Sequence, residues 1–351
     1  MRAWETNIRK VVPYVPGEQP KGDNLIKLNT NENPYPPAPG VLKALMETDF
    51  DRLRKYPDPA CTDLVEALAR YHGLNSDQVF VGVGSDDVLA MAFLTFFNSE
   101  KPVRFPDITY SFYDVWADLF RIPYETKPLD EEFKIVREDY YGGSGGVVFP
   151  NPNAPTGLLL PIEAVRDIIS HNQDVIVIVD EAYIDFGGTS ALTLLDEFDN
   201  LLVVRTFSKS RSMAGMRIGY AMGHADLIRA LNDVKYSYNS YTMNLPSLVM
   251  GAASVKEEAY FRDTVNKVTA TREWSKKRLR ELGFSFPDSS SNFILATHKS
   301  CPASELFEAL KKEQIYVRYF NKPRLDRYLR ISIGTDEEME RLFTFLEGYL
   351  Q

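Results

Sequence analysis

The chain has 351 residues, of which 44% are hydrophobic and 25% charged, and its formal net charge is −9. This is the composition of a soluble globular protein, long enough for two domains because single cores stop growing at roughly 250–300 residues. The acidic balance and the lack of a Lys/Arg-rich block argue against nucleic acid as a partner, and no run of about 18 apolar residues predicts a membrane span.

The cysteines, the histidines and the N-terminal sequence further restrict the class of protein. Cys61 and Cys301 are the two cysteines, too few for a disulfide framework or a thiolate-dominated zinc site. The four histidines lack metal-ligand spacing, so no metal is predicted. The first 20 residues have no apolar core of the kind found in secretory signals. A cytoplasmic location is therefore the expectation.

The predicted elements change character along the chain. Residues 1–40 are rich in Pro, Asn and Gly and predict an extended arm. Over 41–250, amphipathic helical patterns alternate with short apolar runs typical of buried parallel strands, such as VVFP, DVIVIVD and LLVVRT. Over 251–351, a long helical stretch precedes SNFILAT, IYVRYF and YLRISIG. We predict an α/β fold with a large domain around a mainly parallel sheet and a smaller α+β domain.

Polar residues follow two of the predicted strands. Gly84, Ser85 and Asp86 lie between a strand and a helix, where free N–H groups suit an anion, although Asp86 could equally cap the helix. Asp180 ends DVIVIVD and could be a cofactor partner, a base, a metal ligand or a helix cap. Ligands of open α/β sheets bind beyond the carboxyl ends of the strands, so both positions are candidate site residues.

Lys209 lies just after LLVVRT. Desolvation at the end of a buried strand favours the neutral, nucleophilic amine of a lysine. Thr206, Ser208 and Arg217 lie nearby in sequence and suit a phosphate. An anion turn, a carboxylate, a hydroxyl-flanked lysine and an arginine together fit a phosphorylated pyridine aldehyde. The lysine would form a Schiff base with it, and Asp180 would hold its ring proton.

Several motifs resemble the aspartate-aminotransferase superfamily, the class I/II aminotransferases of pyridoxal-phosphate fold type I. They are Asn151–Gly157, Asp180–Tyr183, Thr206–Lys209 and Arg217–Tyr220. Within it, the chain is most similar to the histidinol-phosphate aminotransferase family, through Pro13–Gly17, Leu28–Pro34, Arg54–Asp58 and Tyr328–Gly334. The resemblance covers essentially the whole chain. It implies pyridoxal 5′-phosphate as cofactor and seven strands in the large-domain sheet.

The resemblance also implies roles around the cofactor ring. Lys209 would bind the cofactor and carry a proton between the substrate Cα and the cofactor's C4′. Asp180 would pair with the ring nitrogen and Tyr183 with the ring 3-oxygen. Tyr110 would stack on the ring, with a core aromatic as the alternative. The superfamily's usual asparagine donor to that oxygen is Ala154 in this chain. Either Asn153 replaces it or Tyr183 acts alone.

For the phosphate, the resemblance implies the same anion-binding residues that the strand ends predict. These are the backbone N–H groups of Ser85 and Asp86 after Gly84, the hydroxyls of Thr206 and Ser208, and the guanidinium of Arg217. Tyr56 would reach the phosphate from the other subunit, so the active unit would be a homodimer.

The implied reaction transfers an amino group between L-histidinol phosphate and 2-oxoglutarate, forming imidazole acetol phosphate and glutamate. Arg330 would bind the substrate's α-carboxylate. Arg318 would contact the distal anion, and Tyr14 and Asn33 would line the same pocket. A surface salt bridge is the alternative for Arg318, and simple packing of the arm is the alternative for Tyr14.

Other functions share parts of this pattern. An aromatic amino acid aminotransferase and a threonine-phosphate decarboxylase carry the same motifs. A transcription regulator that borrows the fold would need an N-terminal DNA-binding module, which the Pro/Asn-rich 1–40 segment does not resemble. In an unrelated α/β phosphate-binding protein, Lys209 would never form an imine.

Overall fold

The structure is a computed structural model that describes residues 2–22 and 24–350. Met1 and Gln351, the predicted ends of the first and last domains, lie outside the described residues, as does Asp23. The strands are β1 Ile26–Lys27, β2 Val79–Gly82, β3 Val103–Pro106, β4 Tyr124–Lys127, β5 Gly146–Pro150, β6 Val177–Asp180, β7 Leu201–Thr206, β8 Gly219–Gly223, β9 Phe284–Ser285, β10 Phe293–His298, β11 Ile315–Tyr316, β12 Arg318–Tyr319 and β13 Leu329–Ser332. The helices are α1 Pro39–Met46, α2 Thr62–His72, α3 Ser85–Phe96, α4 Tyr113–Phe120, α5 Ile162–Ser170, α6 Ala225–Tyr238, α7 Leu245–Lys256, α8 Glu258–Glu281, α9 Ala303–Lys312 and α10 Asp336–Tyr349.

A seven-stranded sheet forms the centre of the large domain, in the order β2-β8-β7-β6-β5-β3-β4. β8 runs antiparallel to both of its neighbours, and the pairs from β7 to β4 are all parallel. The predicted α/β fold with a mainly parallel seven-stranded sheet is confirmed. Because β7, β6 and β5 are parallel, their carboxyl ends lie at one edge of the sheet.

The central strands are buried on both faces, as their continuous apolar sequences predict. In β6, Val177 and Val179 belong to one core and Ile178 to the other. Helix α5 covers the first core with Val165 and Ile168, whereas helices α3, α4 and α6 cover the second core. This alternation follows from the two-residue period of a strand and produces a helix–sheet–helix sandwich.

The smaller domain is built on a four-stranded antiparallel sheet in the order β12-β13-β10-β9. Its core includes Val268 of α8, Leu306 of α9 and Phe343 of α10. The boundary predicted at residue 250 falls inside α7, whose Leu248 packs in the large-domain core. We propose that the boundary lies at Glu257, where α7 ends and α8 begins.

The N-terminal segment joins the smaller domain before the first long helix. Ile26 and Leu28 are buried in the C-terminal core, and β1 pairs in parallel with β11. Further towards the N-terminus, Val12 and Val15 are exposed. The stretch predicted as an extended arm therefore contains a strand, β1, that contributes to the smaller domain.

Three further observations concern the described part of the chain. Cys61 is buried, Cys301 is partly exposed, and neither forms a disulfide. Across residues 2–22 and 24–350, no three His, Cys, Asp or Glu side chains are placed to hold a metal ion. Over the same ranges, no helix has the length and apolar character needed to cross a membrane.

Candidate active site

The strand register brings the predicted site segments to one edge of the large sheet. Gly82, Gly219 and Thr206 lie side by side across β2, β8 and β7. Asp180, the last residue of β6, is paired with Val204, two residues before Thr206. The anion turn, the flanking hydroxyls and the carboxylate thus occupy the same end of adjacent strands.

Two glycines allow backbone and guanidinium groups to approach closely beside α3. Gly84 precedes this helix with a φ of +87°, and no side chain caps the first turn. A Cβ on Gly84 would lie 2.5 Å from Nη2 of Arg217, and one on Gly219 would lie 2.2 Å from the backbone nitrogen of Ser85. Any larger residue would separate Arg217 from the helix N-terminus, where backbone N–H groups bind anions.

The predicted phosphate-binding side chains form one hydrogen-bonded group. Nη1 of Arg217 donates to Oγ of Ser208 at 3.5 Å, and Oγ1 of Thr206 donates to the same oxygen at 3.0 Å. Nη2 of Arg217 pairs with the Asp86 carboxylate at 3.3 Å. A guanidinium, two hydroxyls and a helix N-terminus at one point suit a phosphate dianion, which would take over part of the contact with Asp86.

Asp180 is a buried carboxylate held by hydrogen bonds alone. It accepts from the hydroxyl of Tyr113 at 3.0 Å and from the backbone N–H of Ala182 at 3.1 Å. No Lys or Arg of the described ranges forms an ion pair with it. Burial raises the pKa of Asp180 to about 6, against the lowering effect of the Tyr113 hydrogen bond. A cation beside this carboxylate would stabilise its charged form.

Lys209 lies three residues beyond β7 and is partly buried. Its Nζ donates to the backbone carbonyl of Thr30 at 3.1 Å and lies 5.8 Å from the centre of the Tyr183 ring. In the part of the chain that the structure describes, no carboxylate forms an ion pair with Nζ. The amine is thus held at the sheet edge by a neutral group that a competing partner can displace.

Two tyrosines border the space between Lys209 and Asp180. The hydroxyl of Tyr110 donates to the Asp86 carboxylate at 2.6 Å, and burial with this negative neighbour raises the pKa of Tyr110. The hydroxyl oxygen of Tyr183 accepts a hydrogen bond from Nδ2 of Asn31 at 3.0 Å. Both phenols are therefore fixed by specific partners.

Asn153 is buried in the loop that follows β5. Its Nδ2 donates to the carbonyl of Ile108 at 3.0 Å and to the hydroxyl of Thr156 at 3.1 Å, which uses both amide hydrogens. Contact with a cofactor oxygen would require one of these bonds to be exchanged. The other candidate for that contact is Tyr183. Its hydroxyl hydrogen has no acceptor among the described residues, so it is free to be donated to a cofactor.

The two predicted substrate arginines face each other in neighbouring strands. Arg318 of β12 is the register partner of Arg330 of β13. Arg330 donates to the carbonyl of Asn29 at 2.9 Å, and its buried Nε has no hydrogen-bond partner within the described ranges. Burial lowers the pKa of Arg330, and the charge of Arg318 acts in the same direction. Two adjacent guanidinium groups with no carboxylate partner among residues 2–22 and 24–350 can form an anion site.

The remaining predicted residues lie in three different settings. The Tyr14 ring packs on Phe112 with 4.3 Å between centroids. Nδ2 of Asn33 donates to the carbonyl of Ser210 at 3.2 Å, which ties the N-terminal segment to the residue after Lys209. Tyr56 is 80% exposed and stacks on Tyr241. Tyr14 therefore lies beside Phe112, a neighbour of Tyr110, and Asn33 lies beside Ser210, whereas Tyr56 lies on the surface.

Sequence reasoning missed three residues that hold the predicted ones. Tyr113 binds Asp180, whereas Asn31 and Ser332 form a hydrogen-bonded pair next to Tyr183. Asn31 and Ser332 belong to the motifs Leu28–Pro34 and Tyr328–Gly334, and Tyr113 lies three residues after Tyr110, but nothing in these stretches indicates their partners. An asparagine within such a motif is one signal that was open to use, because asparagine is enriched in left-handed backbone turns.

Comparison with known proteins identifies the class. The model of the aminotransferase class I and II family matches residues 23–346, so the chain belongs to this pyridoxal-phosphate-dependent family. The histidinol-phosphate aminotransferase of Lactococcus lactis subsp. cremoris is 49% identical over 99% of this chain and 98% of its own. The histidinol-phosphate aminotransferase of Brachyspira hyodysenteriae is 51% identical, over 95% of this chain and 94% of its own. More narrowly, the chain is therefore a member of the histidinol-phosphate aminotransferase family, as the sequence motifs predict.

A solved structure supports the fold assignment independently. The histidinol-phosphate aminotransferase of Sinorhizobium meliloti, in complex with pyridoxal-5′-phosphate, superposes with a TM-score of 0.83. The match covers 93% of this chain and 90% of that one, at 24% sequence identity. The predicted fold type is thereby confirmed over nearly the whole chain.

Proposed function

We propose that this protein transfers the amino group between L-histidinol phosphate and 2-oxoglutarate, forming imidazole acetol phosphate and glutamate in histidine biosynthesis. One observation supports it most directly: Lys209 and Arg330 donate to the carbonyls of the consecutive residues Thr30 and Asn29. An amine and a guanidinium that pair with no carboxylate in the described part of the chain are thus held side by side. An amino acid or its phosphorylated analogue needs both groups.

The residues present fit pyridoxal 5′-phosphate. The glycine-lined group around Arg217 matches its phosphate, and the buried Asp180, which lacks a cation, matches its protonated ring nitrogen. Lys209 would hold the aldehyde carbon, Tyr183 the ring 3-oxygen and Tyr110 the ring face. When bound, the cofactor withdraws electrons from the substrate Cα and so makes its proton acidic.

The chain's own groups would then carry out proton transfer and orientation. Nζ of Lys209 would take the proton from the substrate Cα and later return a proton to the cofactor's C4′ carbon. The guanidinium fork of Arg330 would fix the substrate's orientation through two parallel hydrogen bonds. Tyr113 and the N–H of Ala182 would keep the Asp180 carboxylate directed at the ring nitrogen.

Both proposed substrates carry an anion away from the reacting amine. Arg318 and Arg330 together offer two cationic forks across β12 and β13, and Tyr14 approaches from the N-terminal segment through Phe112. A phosphate in one substrate and a carboxylate in the other would therefore meet the same pair of arginines. The decisive experiment is a panel of amino donors assayed with 2-oxoglutarate, including release of carbon dioxide. Release in place of amino transfer would indicate a decarboxylase.

We expect Arg318→Gln to raise KM for histidinol phosphate by about 10- to 100-fold, because a charge-assisted hydrogen bond is lost from a partly buried anion site. KM for phenylalanine as donor should change by less than about threefold, since that donor has no distal anion. Steady-state kinetics with both donors measures this. The matched control is Arg327→Gln, which removes an exposed arginine from the loop before β13. Equal effects of Arg318→Gln on both donors would favour an aromatic amino acid aminotransferase.

We further propose a homodimer in which Tyr56 reaches the partner's phosphate site. The stretch from α1 to Tyr56 exposes large apolar side chains to a degree that is unusual for a monomer surface. The exposed fractions are 59% for Leu42, 72% for Met46, 54% for Phe50, 56% for Leu53 and 80% for Tyr56. A second copy of the chain would remove this surface from water.

Mixing two impaired variants should restore activity if Tyr56 serves the partner's site. In a Lys209→Ala and Tyr56→Ala heterodimer, one site would then carry both changes and the other neither. Equal amounts of the two variants are unfolded and refolded together. We expect roughly a quarter of wild-type activity at limiting cofactor, because about half of the dimers are mixed and each mixed dimer has one intact site. The control is mixing Lys209→Ala with Asp180→Asn, two changes within one protomer's site, which should restore nothing. No recovery in the Tyr56 mixture would contradict the proposed arrangement.

We also propose a cytoplasmic location. Cys61 and Cys301 are both unpaired, and Cys61 is buried without a disulfide partner. Free thiols are typical of a reducing compartment.

A further inference from the structure

Asn31 occupies a backbone conformation and a hydrogen-bonding position that few residue types could fill. Its φ of +57° lies in the left-handed region, where glycine and asparagine are favoured. The residue is only 2% exposed. Its backbone N–H donates to Oγ of Ser332 at 2.9 Å, and its carbonyl accepts from Nδ2 of Asn292 at 3.0 Å. Both backbone groups are therefore bound to the smaller domain.

The side-chain amide of Asn31 connects that domain to Tyr183. The hydroxyl of Ser332 donates to Oδ1 of Asn31 at 3.0 Å, and Nδ2 of Asn31 donates to the hydroxyl oxygen of Tyr183 at 3.0 Å. Because Oγ of Ser332 already accepts from the backbone of Asn31, its own hydrogen is directed to Oδ1. This fixes which end of the amide faces Tyr183.

The hydrogen bonds in this series all run in one direction. Each hydroxyl or amide donates to the next, from Ser332 to Asn31 and from Asn31 to Tyr183. Since Tyr183 accepts from Asn31, its own O–H is left to donate elsewhere, and no acceptor takes it within the described ranges. The nearby amide of Asn153 has used both of its hydrogens. Tyr183 is thus the phenol prepared to donate into the site.

We propose that Asn31 is a positioning residue that makes Tyr183 a hydrogen-bond donor to the ring 3-oxygen of the bound cofactor. The inference rests on the proposed function, because it assigns the acceptor of the Tyr183 proton. Ser332 lies two residues after Arg330 on β13, so the same series links the strand that holds the substrate arginine to the cofactor ring. In this role Asn31 would act through Tyr183 and would not itself touch the cofactor or the substrate.

The colour of the bound cofactor gives a direct test of this role. A donor to the ring oxygen stabilises its negative charge, and loss of the donor leaves that charge to be neutralised by a proton. The pH midpoint of the visible absorbance change should therefore rise. We expect Tyr183→Phe to raise it by about one pH unit and Asn31→Gly by about half of one. Glycine keeps the left-handed backbone and adds no charge.

The double variant separates positioning from general support of the fold. If Asn31 acts through Tyr183, the double variant Asn31→Gly/Tyr183→Phe should show the midpoint of Tyr183→Phe alone. An additive shift, or none in Asn31→Gly, would overturn the inference. Asn31→Asp is the second variant, since its carboxylate would accept the Tyr183 proton and should move the midpoint further than glycine does. A wild-type protein that binds no coloured cofactor would instead refute the proposed function.

Discussion

Replacing Lys209 with alanine should lower the rate of amino transfer by at least about 10⁴-fold, because the residue is proposed both to bind the cofactor and to move the proton. The fold should persist, because Nζ makes one hydrogen bond, to the carbonyl of Thr30, and the residue lies in a loop beyond β7. The measurement is single-turnover kinetics with histidinol phosphate, together with a thermal unfolding curve. Substantial activity in this variant would contradict the proposed mechanism.

Two controls separate the amine's chemistry from its charge. Lys209→Arg keeps a positive charge beside Tyr183 but supplies no nucleophilic amine, so it should be nearly as inactive as the alanine variant. Borohydride treatment of the wild-type protein should bleach its yellow colour and leave the mass of the cofactor on the peptide that contains Lys209. The mass on any other peptide would assign the cofactor to a different lysine.

Replacing Asp180 with asparagine should have opposite effects on activity and on stability. The variant can still accept a hydrogen bond from Tyr113 but no longer offers a negative charge to the ring nitrogen. We expect turnover to fall by about 10²- to 10³-fold. In the cofactor-free protein the same change should be stabilising, because the carboxylate is buried without a cation.

The pH dependence of that stabilisation follows from the raised pKa. Burial moves the pKa of Asp180 from an ordinary 3.8 to about 6, so the folded state holds its proton more tightly than the unfolded state does. The free energy of unfolding therefore falls as the pH rises from about 4 to about 6, by about 2–3 kcal/mol. Denaturation of the cofactor-free proteins should show that the Asp180→Asn variant is more stable than the wild type by this amount at pH 8. At pH 4 the two proteins should have nearly the same free energy of unfolding. A constant difference at both values would exclude the titration of Asp180 as its cause.

Positions at strand ends were predictable from the sequence, and their partners were not. Asp180 and Lys209 follow continuous apolar runs, and parallel strands must bring their carboxyl ends together. The partner of Asp180, however, is Tyr113, which lies 67 residues earlier in the chain. Asn31 and Ser332 are 301 residues apart. No local pattern of hydrophobicity or turn chemistry encodes contacts of that separation.

The domain assignment failed to anticipate one local feature for a similar reason. The Pro- and Asn-rich composition of residues 1–40 predicts a segment with little regular structure. It does not reveal that Ile26 and Leu28 complete the core of the smaller domain, because two apolar residues form no period. The left-handed conformation of Asn31 likewise depends on tertiary partners that hold it.

The parallel pairing of β1 with β11 has a consequence for biosynthesis on the ribosome. Ile26 leaves the ribosome long before its partner Ile315 has been made. Thr30 and Asn31, which hold Lys209 and Tyr183, therefore cannot reach their final positions until β11 and β13 exist. Contacts this distant in sequence slow folding and leave apolar surface exposed meanwhile. The cofactor site should thus form only after β13 has been made, and until then the nascent chain should be a substrate for chaperones.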